Sequence, residues 1–275
     1  MNPRRKVHPA MNVLYIAGLV LFFVAFMFPF AWMIISSFKT QAEILTMPPK
    51  WIFTPTFKNY VEVFEGQEFL MYMLNSFLIA VGATLAALVL GLPAAYAIAR
   101  RRMPSLGFTI LVARIVPGIT FLIPWFMLFS RLKMVDTLPA LILTHMLVTM
   151  PFVVWVMIPF FEGIPGDLID AARVDGCTEQ YAFMRVVLPI SGPGIITGSI
   201  MAFVFSWNNF MFSMILTGVH TKTLPVAIFN FLSYSEVNWG GLMAAAVIIT
   251  LPVLVLALVT QKYIVRGLTA GAVKG

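Results

Sequence analysis

Six long apolar runs, set apart by short polar breaks, give the chain its pattern. They occupy residues 13–35, 69–98, 106–130, 138–161, 195–216 and 241–260. A helix of about 20 residues crosses the hydrocarbon core of a bilayer. Each run therefore reads as one transmembrane helix, and the chain as an all-α polytopic membrane protein with six spans. A basic tip at 1–12 precedes this six-span body, which runs over 13–262, and a tail at 263–275 follows it. Residues 38–68 mix prolines, aromatics and charges and read as an extramembrane loop packed in part on the membrane face. The Pro48–Pro49 pair disfavours a helix there.

Polar residues inside the runs narrow the picture. Pro29 is expected to kink the first span, and Ala94, Ala95 and Ala97 in the second are small enough for close helix packing. Arg114 lies near the inner end of the third, where its stem can snorkel to the interface; a structural ion pair is the alternative. His145 in the fourth is expected to bond a neighbouring backbone carbonyl, with a proton-relay role as the alternative. The fifth run is the most polar, with Ser206, Trp207, Asn208, Asn209 and Ser213. Amides at that depth hydrogen-bond either to a polar solute or to a neighbouring helix, the latter at about 0.6 kcal/mol per bond. Successive helical residues point about 100° apart, so at most one of Asn208 and Asn209 faces a pathway. The outer loop at 217–239 offers Lys222, Tyr234, Glu236 and Trp239 to an extracytoplasmic partner, or simply tethers two spans.

Composition agrees with the pattern. Apolar residues make up 60% and charged residues 11% of the chain, against about 25% charged in a soluble domain, and the mean hydropathy is +0.94. The first run is too long for a signal-peptide core of about 7–15 residues and reads as an uncleaved span. A net charge of +7 is better explained by membrane topology than by nucleic acid. Eleven of the eighteen Lys and Arg fall at the N-terminal tip, at 100–102, in the 162–190 segment and at 261–275, and six fall on the other side. By the positive-inside rule this puts both termini and the 162–190 segment of a multi-pass membrane protein in the cytoplasm. The one cysteine, Cys177, permits no intrachain disulfide and no Cys/His zinc spacing.

The chemistry the chain lacks is informative. It has no G-x-x-x-x-G-K-[ST] phosphate loop, no nucleophile elbow and no zincin motif. The intramembrane acids of a proton-coupled transporter are also missing. No catalytic residue, metal ligand or cofactor is expected, and a transport role requires a partner that supplies energy.

The longest polar interruption in the second half, 167–189, reads as two short helices around Gly176. Asp167 is expected to cap the first, with Asp170 three residues on. Gly176 suits a left-handed stop, Thr178 caps the second helix, and Pro189 ends it. With little to bury by itself, such a hairpin is expected to dock on a partner.

The residues of this hairpin resemble the EAA loop of ABC-importer permeases: E-A-A, three residues, G, nine residues, I, one residue, L-P. Here Asp170-Ala171-Ala172 is followed by Gly176, and Val186, Leu188 and Pro189 close the pattern, with Asp for Glu and Val for Ile as departures. FKNY at 57–60, LNS at 74–76, PAAYAIAR at 93–100, FSWNNF at 205–210 and the QKYIVRGLTAGAVKG tail resemble the binding-protein-dependent carbohydrate subgroup, which contains the maltose permease. The resemblance covers the whole chain. It implies a type I importer permease fold whose hairpin couples to ATPases through Asp170, Ala171, Ala172, Gly176, Val186, Leu188 and Pro189. It implies a second homologous permease, two cytoplasmic ATPase subunits that bind ATP and Mg, an extracytoplasmic solute-binding protein, and a tail reaching the ATPases. The solute is expected to be a sugar, polyol or glycerol phosphate derivative, moved by alternating access. A non-sugar importer, and after it a self-contained secondary transporter, are the alternatives. Trp207, Asn208 and Asn209 remain candidates for the pathway, and the roles of Arg114 and His145 remain open.

Overall fold

The structure, a computed structural model, describes residues 9–66, 68–112, 115–232 and 237–272. Among them the regular structure is helical, with a single isolated β-bridge between Leu232 and Val237. Among the described residues, four helices are singly long and apolar enough to cross a membrane: Met11–Ser37, Phe69–Arg100, Leu138–Glu162 and Trp239–Gln261. The third and fifth apolar runs are built in pieces, and the chain divides into two compact units.

The first unit comprises residues 1–67 and 230–248. Helix α1 (Pro9–Ser37) is apolar on all sides and exposes Leu14, Phe22 and Leu21 alike, as a lipid-facing span does. The segment after it is tied into a knot. Lys39 is buried, its Nζ donating to the Lys50 carbonyl at 2.6 Å and lying over the Trp32 and Phe53 rings at 4.8 and 5.0 Å. The Asn59 amide bridges the Ser37 and Lys39 carbonyls at 2.8 Å each. Helix α2 (Gln41–Ile44) carries a Thr40–Glu43 capping box, and α3 (Lys58–Gly66) buries Asn59 and Val63. Residues 45–57 are free of helix, as the proline pair requires.

The second unit comprises 68–229 and 249–275. Its core is the contact of α4 (Phe69–Arg100) with α7 (Leu138–Glu162). Small residues bring the two backbones together: Ala83, Ala87 and Ala95 are fully buried, and a Cβ on Gly82 would lie 2.8 Å from Ile142. The third run is split into α5 (Pro104–Val112), a 3₁₀ turn at Gly118–Phe121 and α6 (Leu122–Arg131). Pro117 is extended there, at φ −58° and ψ 128°, which interrupts the helix. Arg114 lies outside the described residues.

After α7 come α8 (Gly166–Val174), α9 (Glu179–Ala182), a π-helical turn at Phe183–Val187 and α10 (Leu188–Ile190). The chain then bends by 80° into α11 (Gly192–Trp207), which packs on both α4 and α7. A break at Asn208–Asn209 separates α11 from α12 (Met211–Leu216). Helix α13 (Leu224–Ala227) follows, and α14 (Trp239–Ala272) ends the described chain.

Candidate functional site

The hairpin between α7 and α11 is built much as its residues dictate, with two corrections. Gly176 has φ +84°, and the turn is a Schellman motif: the Cys177 N–H donates to the Ala172 carbonyl at 2.9 Å and the Gly176 N–H to the Arg173 carbonyl at 3.0 Å. Thr178 Oγ1 accepts from the Tyr181 N–H at 3.3 Å, the expected cap. Asp167, however, is not a cap. Pro165 occupies that position, and Asp167 lies inside the first turn, where the helix dipole favours an acid. Pro189 does not end the helix either. The preceding turn is π-helical, with the Leu188 N–H reaching the Phe183 carbonyl. This wide turn lets the chain stay helical through a residue that has no N–H to give, and the bend comes at Ser191 instead.

The hairpin does have something to bury. Ile169, Ala172, Ala182 and Val187 are buried, and Phe183 joins Tyr96 of α4 and Phe161 of α7 in an aromatic triad with centroids 4.9 to 6.3 Å apart. Ala172 therefore faces inward, whereas Asp170, Ala171, Val174, Tyr181 and Met184 face outward. Gly176 and Pro189 are exposed, and Val186 and Leu188 are half-buried. Charge ties the same parts together. Asp170 lies 3.5 Å from Arg100 at the end of α4 and 3.7 Å from Arg173, which lies 3.8 Å from Glu179 across the turn. These pairs are solvent-exposed enough that each contributes about 0–1 kcal/mol. Their geometric effect is to keep Asp170 on the outer side, beside α4.

The polar end of the fifth run is not one helix face but a helix break. Trp207 is buried, stacked on Phe203, and its Nε1–H donates to the Ile249 carbonyl at 3.1 Å. Asn208 is exposed and its amide folds back on the Val204 carbonyl at 3.0 Å. Asn209 Oδ1 accepts from the Phe212 N–H at 3.2 Å and so opens α12. The two amides thus terminate one helix and start the next. His145 is fully buried below them, and its partners are not the backbone carbonyl expected. They are two hydroxyls, Ser206 at 2.8 Å and Ser213 at 3.3 Å. Its two polar partners lie more than sixty residues away in sequence, so spacing alone could not identify them.

The described outer-loop candidates belong to different units. Lys222 belongs to the second unit and sits over the Tyr72 ring at 5.6 Å. Trp239 belongs to the first, where its N–H meets Gln41 Oε1 at 3.0 Å. Tyr234 and Glu236 lie outside the described residues. The sequence missed what holds residues 217–224. Asp136 accepts from the Gly218 and Thr221 N–H groups, the Thr221 hydroxyl and the His220 N–H, at 2.7 to 3.2 Å. From α4, the Asn75 amide binds the His220 and Lys222 carbonyls, and Ser76 Oγ receives the Leu224 N–H.

Comparison with known proteins adds four likenesses. The family model described as "Binding-protein-dependent transport system inner membrane component" matches residues 87–270. The trehalose transport system permease protein SugB of Mycobacterium tuberculosis is 39% identical, over 81% of this chain and 83% of that protein. The trehalose/maltose transport system permease protein MalG of Thermococcus litoralis is 34% identical, over 96% and 97%. Among solved structures, a chain of a bacterial ABC transporter involved in alginate import matches with a TM-score of 0.79 at 21% identity, over 94% of this chain and 99% of that one. That last likeness is one of fold.

Proposed function

We propose, on the premise that the chain belongs to the family of binding-protein-dependent transport system inner membrane components, that it is the permease subunit of an ATP-driven importer for a carbohydrate or carbohydrate-like solute. It works with a second similar permease, two cytoplasmic ATPase subunits that bind ATP and Mg, and an extracytoplasmic solute-binding protein. The chain itself catalyses no reaction. The solute class rests on the trehalose and trehalose/maltose systems for which the relatives are named.

The hairpin carries this reading. It is capped, is anchored on α4 and α7 by its inner face, and runs on into α11. Its outer face offers an acid, a small residue and three apolar side chains to a partner. A body so built turns a push on its outer face into a tilt of the spans behind it. It lies in the cytoplasm by the Lys and Arg distribution. Asp170, Ala171 and Gly176 are the contact and turn residues, while Ala172, Val186 and Leu188 seat the hairpin.

The break at Asn208 is the proposed solute-facing point. Interrupted backbone at membrane depth survives where it is buried in protein or lines a water-filled cavity. Exposure of Asn208 in this chain supports the reading that it faces the pathway, with Trp207 as the wall behind it. Lys222 and Trp239 stand as contacts for the solute-binding protein. In the assembled complex, Gly176→Pro forces φ from +84° to about −65° and removes an N–H that is in use. Its expected effect is loss of solute transport with ATPase subunits released or uncoupled. Transport at the unsubstituted rate by this variant refutes the coupling role.

A further inference from the structure

The hydrogen bonds around His145 have a direction. Ser213 Oγ donates its one proton to the Asn209 carbonyl at 2.8 Å. It therefore accepts from His145 Nε2–H at 3.3 Å. With Nε2 protonated, Nδ1 of the neutral ring is an acceptor, and Ser206 Oγ at 2.8 Å donates to it. The relay runs from the last turn of α11, through α7, into α12, and ends on a backbone carbonyl inside the break. All three side chains are buried, and every proton in the chain has one place to go.

The break needs such a tie. Asn208 and Asn209 satisfy their own ends locally: the Asn208 N–H and amide both go to the Val204 carbonyl, and the Asn209 N–H goes to the Ser206 carbonyl at 3.2 Å. These bonds close the end of α11 but do not cross to α12. Helix α7 packs on both helices, and within it His145 reaches Ser206 on one side and Ser213 on the other.

We infer that His145 is a positioning residue: through Ser206 and Ser213 it fixes the helix break that presents Asn208 to the solute pathway. The inference rests on the proposed importer reading for the pathway itself, but not for the relay. A neutral imidazole suits this place, since it accepts at one nitrogen and donates at the other across a rigid ring. A fully protonated ring could not accept from Ser206.

Two measurements on the assembled complex in membranes test it. The first is hydrogen–deuterium exchange of the backbone amides at 207–213. His145→Phe, close in volume but without either bond, should speed exchange there by about tenfold, the effect of one buried hydrogen bond, and leave α4 unchanged. Ser213→Ala, which keeps the ring, should speed the α12 side alone. His145→Gln, which keeps a donor toward Ser213, should recover part of the protection, as a purely space-filling role would not allow. The second uses Asn208→Cys with Cys177→Ser, and a charged methanethiosulfonate reagent. Position 208 should react readily with His145 present and at a rate changed about tenfold in His145→Phe. Unchanged exchange in both His145→Phe and Ser213→Ala overturns the relay. Altered exchange with position 208 unreactive in every background keeps the relay and overturns the pathway reading, and with it the claim that His145 serves the pathway.

Discussion

Asp136 holds a backbone φ of +60°, a conformation that residues with a Cβ rarely adopt, and its four accepted hydrogen bonds offset that strain. Burial alone would raise its carboxyl pKa. The Thr221 hydroxyl and the N–H groups of His220, Gly218 and Thr221 outweigh burial and hold it below the ordinary value. The sign follows. A depressed folded-state pKa means the ionised form contributes stability at every pH above the unfolded carboxyl value, about 3.9. That contribution is lost as pH falls through the lower folded value. Protection of the Gly218 and Thr221 amides from exchange should therefore be constant from neutral pH to about 4 and fall only below it. In Asp136→Asn it should be weaker at neutral pH and lack that acid step. An acid step that persists in the Asn variant would assign it elsewhere. Nothing in the residues beside it marks Asp136, because its partners are more than eighty residues away. A nearby signal was Gly218, where a Cβ would lie 2.6 Å from the Asp136 carboxyl.

At the scale of elements, the hairpin was the most legible part. Its caps, its glycine and its length are set by local chemistry, and Gly176 and Thr178 do what their types suggest. Asp167 and Pro189 were misread because Pro165 starts α8 earlier and the π turn carries α10 past the proline. The inward face of the hairpin was also hidden, since Ile169 is buried in a core it shares with Tyr96 and Phe161 from other helices. The 80° bend into α11 depends on close approach just beyond it. A Cβ on Gly194 would fall 2.6 to 2.8 Å from the Phe160 ring, whereas one on Gly192 would meet nothing within 4 Å. Gly194→Ala should cost about 1–3 kcal/mol through overpacking and lower the thermal midpoint of the complex, while Gly192→Ala should be close to neutral. Thermal melts of the assembled complex check this; equal midpoints for the two variants would remove Gly194 from the corner.

For the whole molecule, hydrophobic patterning and the hairpin spacing led to the right class, a polytopic permease fold, and to the family whose model matches residues 87–270. Patterning could not show that the third and fifth runs are interrupted, because apolar content does not report helix continuity; Pro117 and the Asn208–Asn209 pair do so only with hindsight. It also gave no sign that the chain falls into two compact units. The first of these carries its own reporter. Lys39 is enclosed by Trp32, Phe53 and the Lys50 carbonyl, whereas the Lys50 and Lys58 side chains are 47% and 75% exposed. An amine-reactive label added to intact membranes should modify Lys58 and Lys50 and spare Lys39, and mass spectrometry of the peptides reads this directly. Because the cage is made by residues from α1 and from the stretch after it, the labelling of one amine dates the moment in biogenesis when that stretch has closed upon itself.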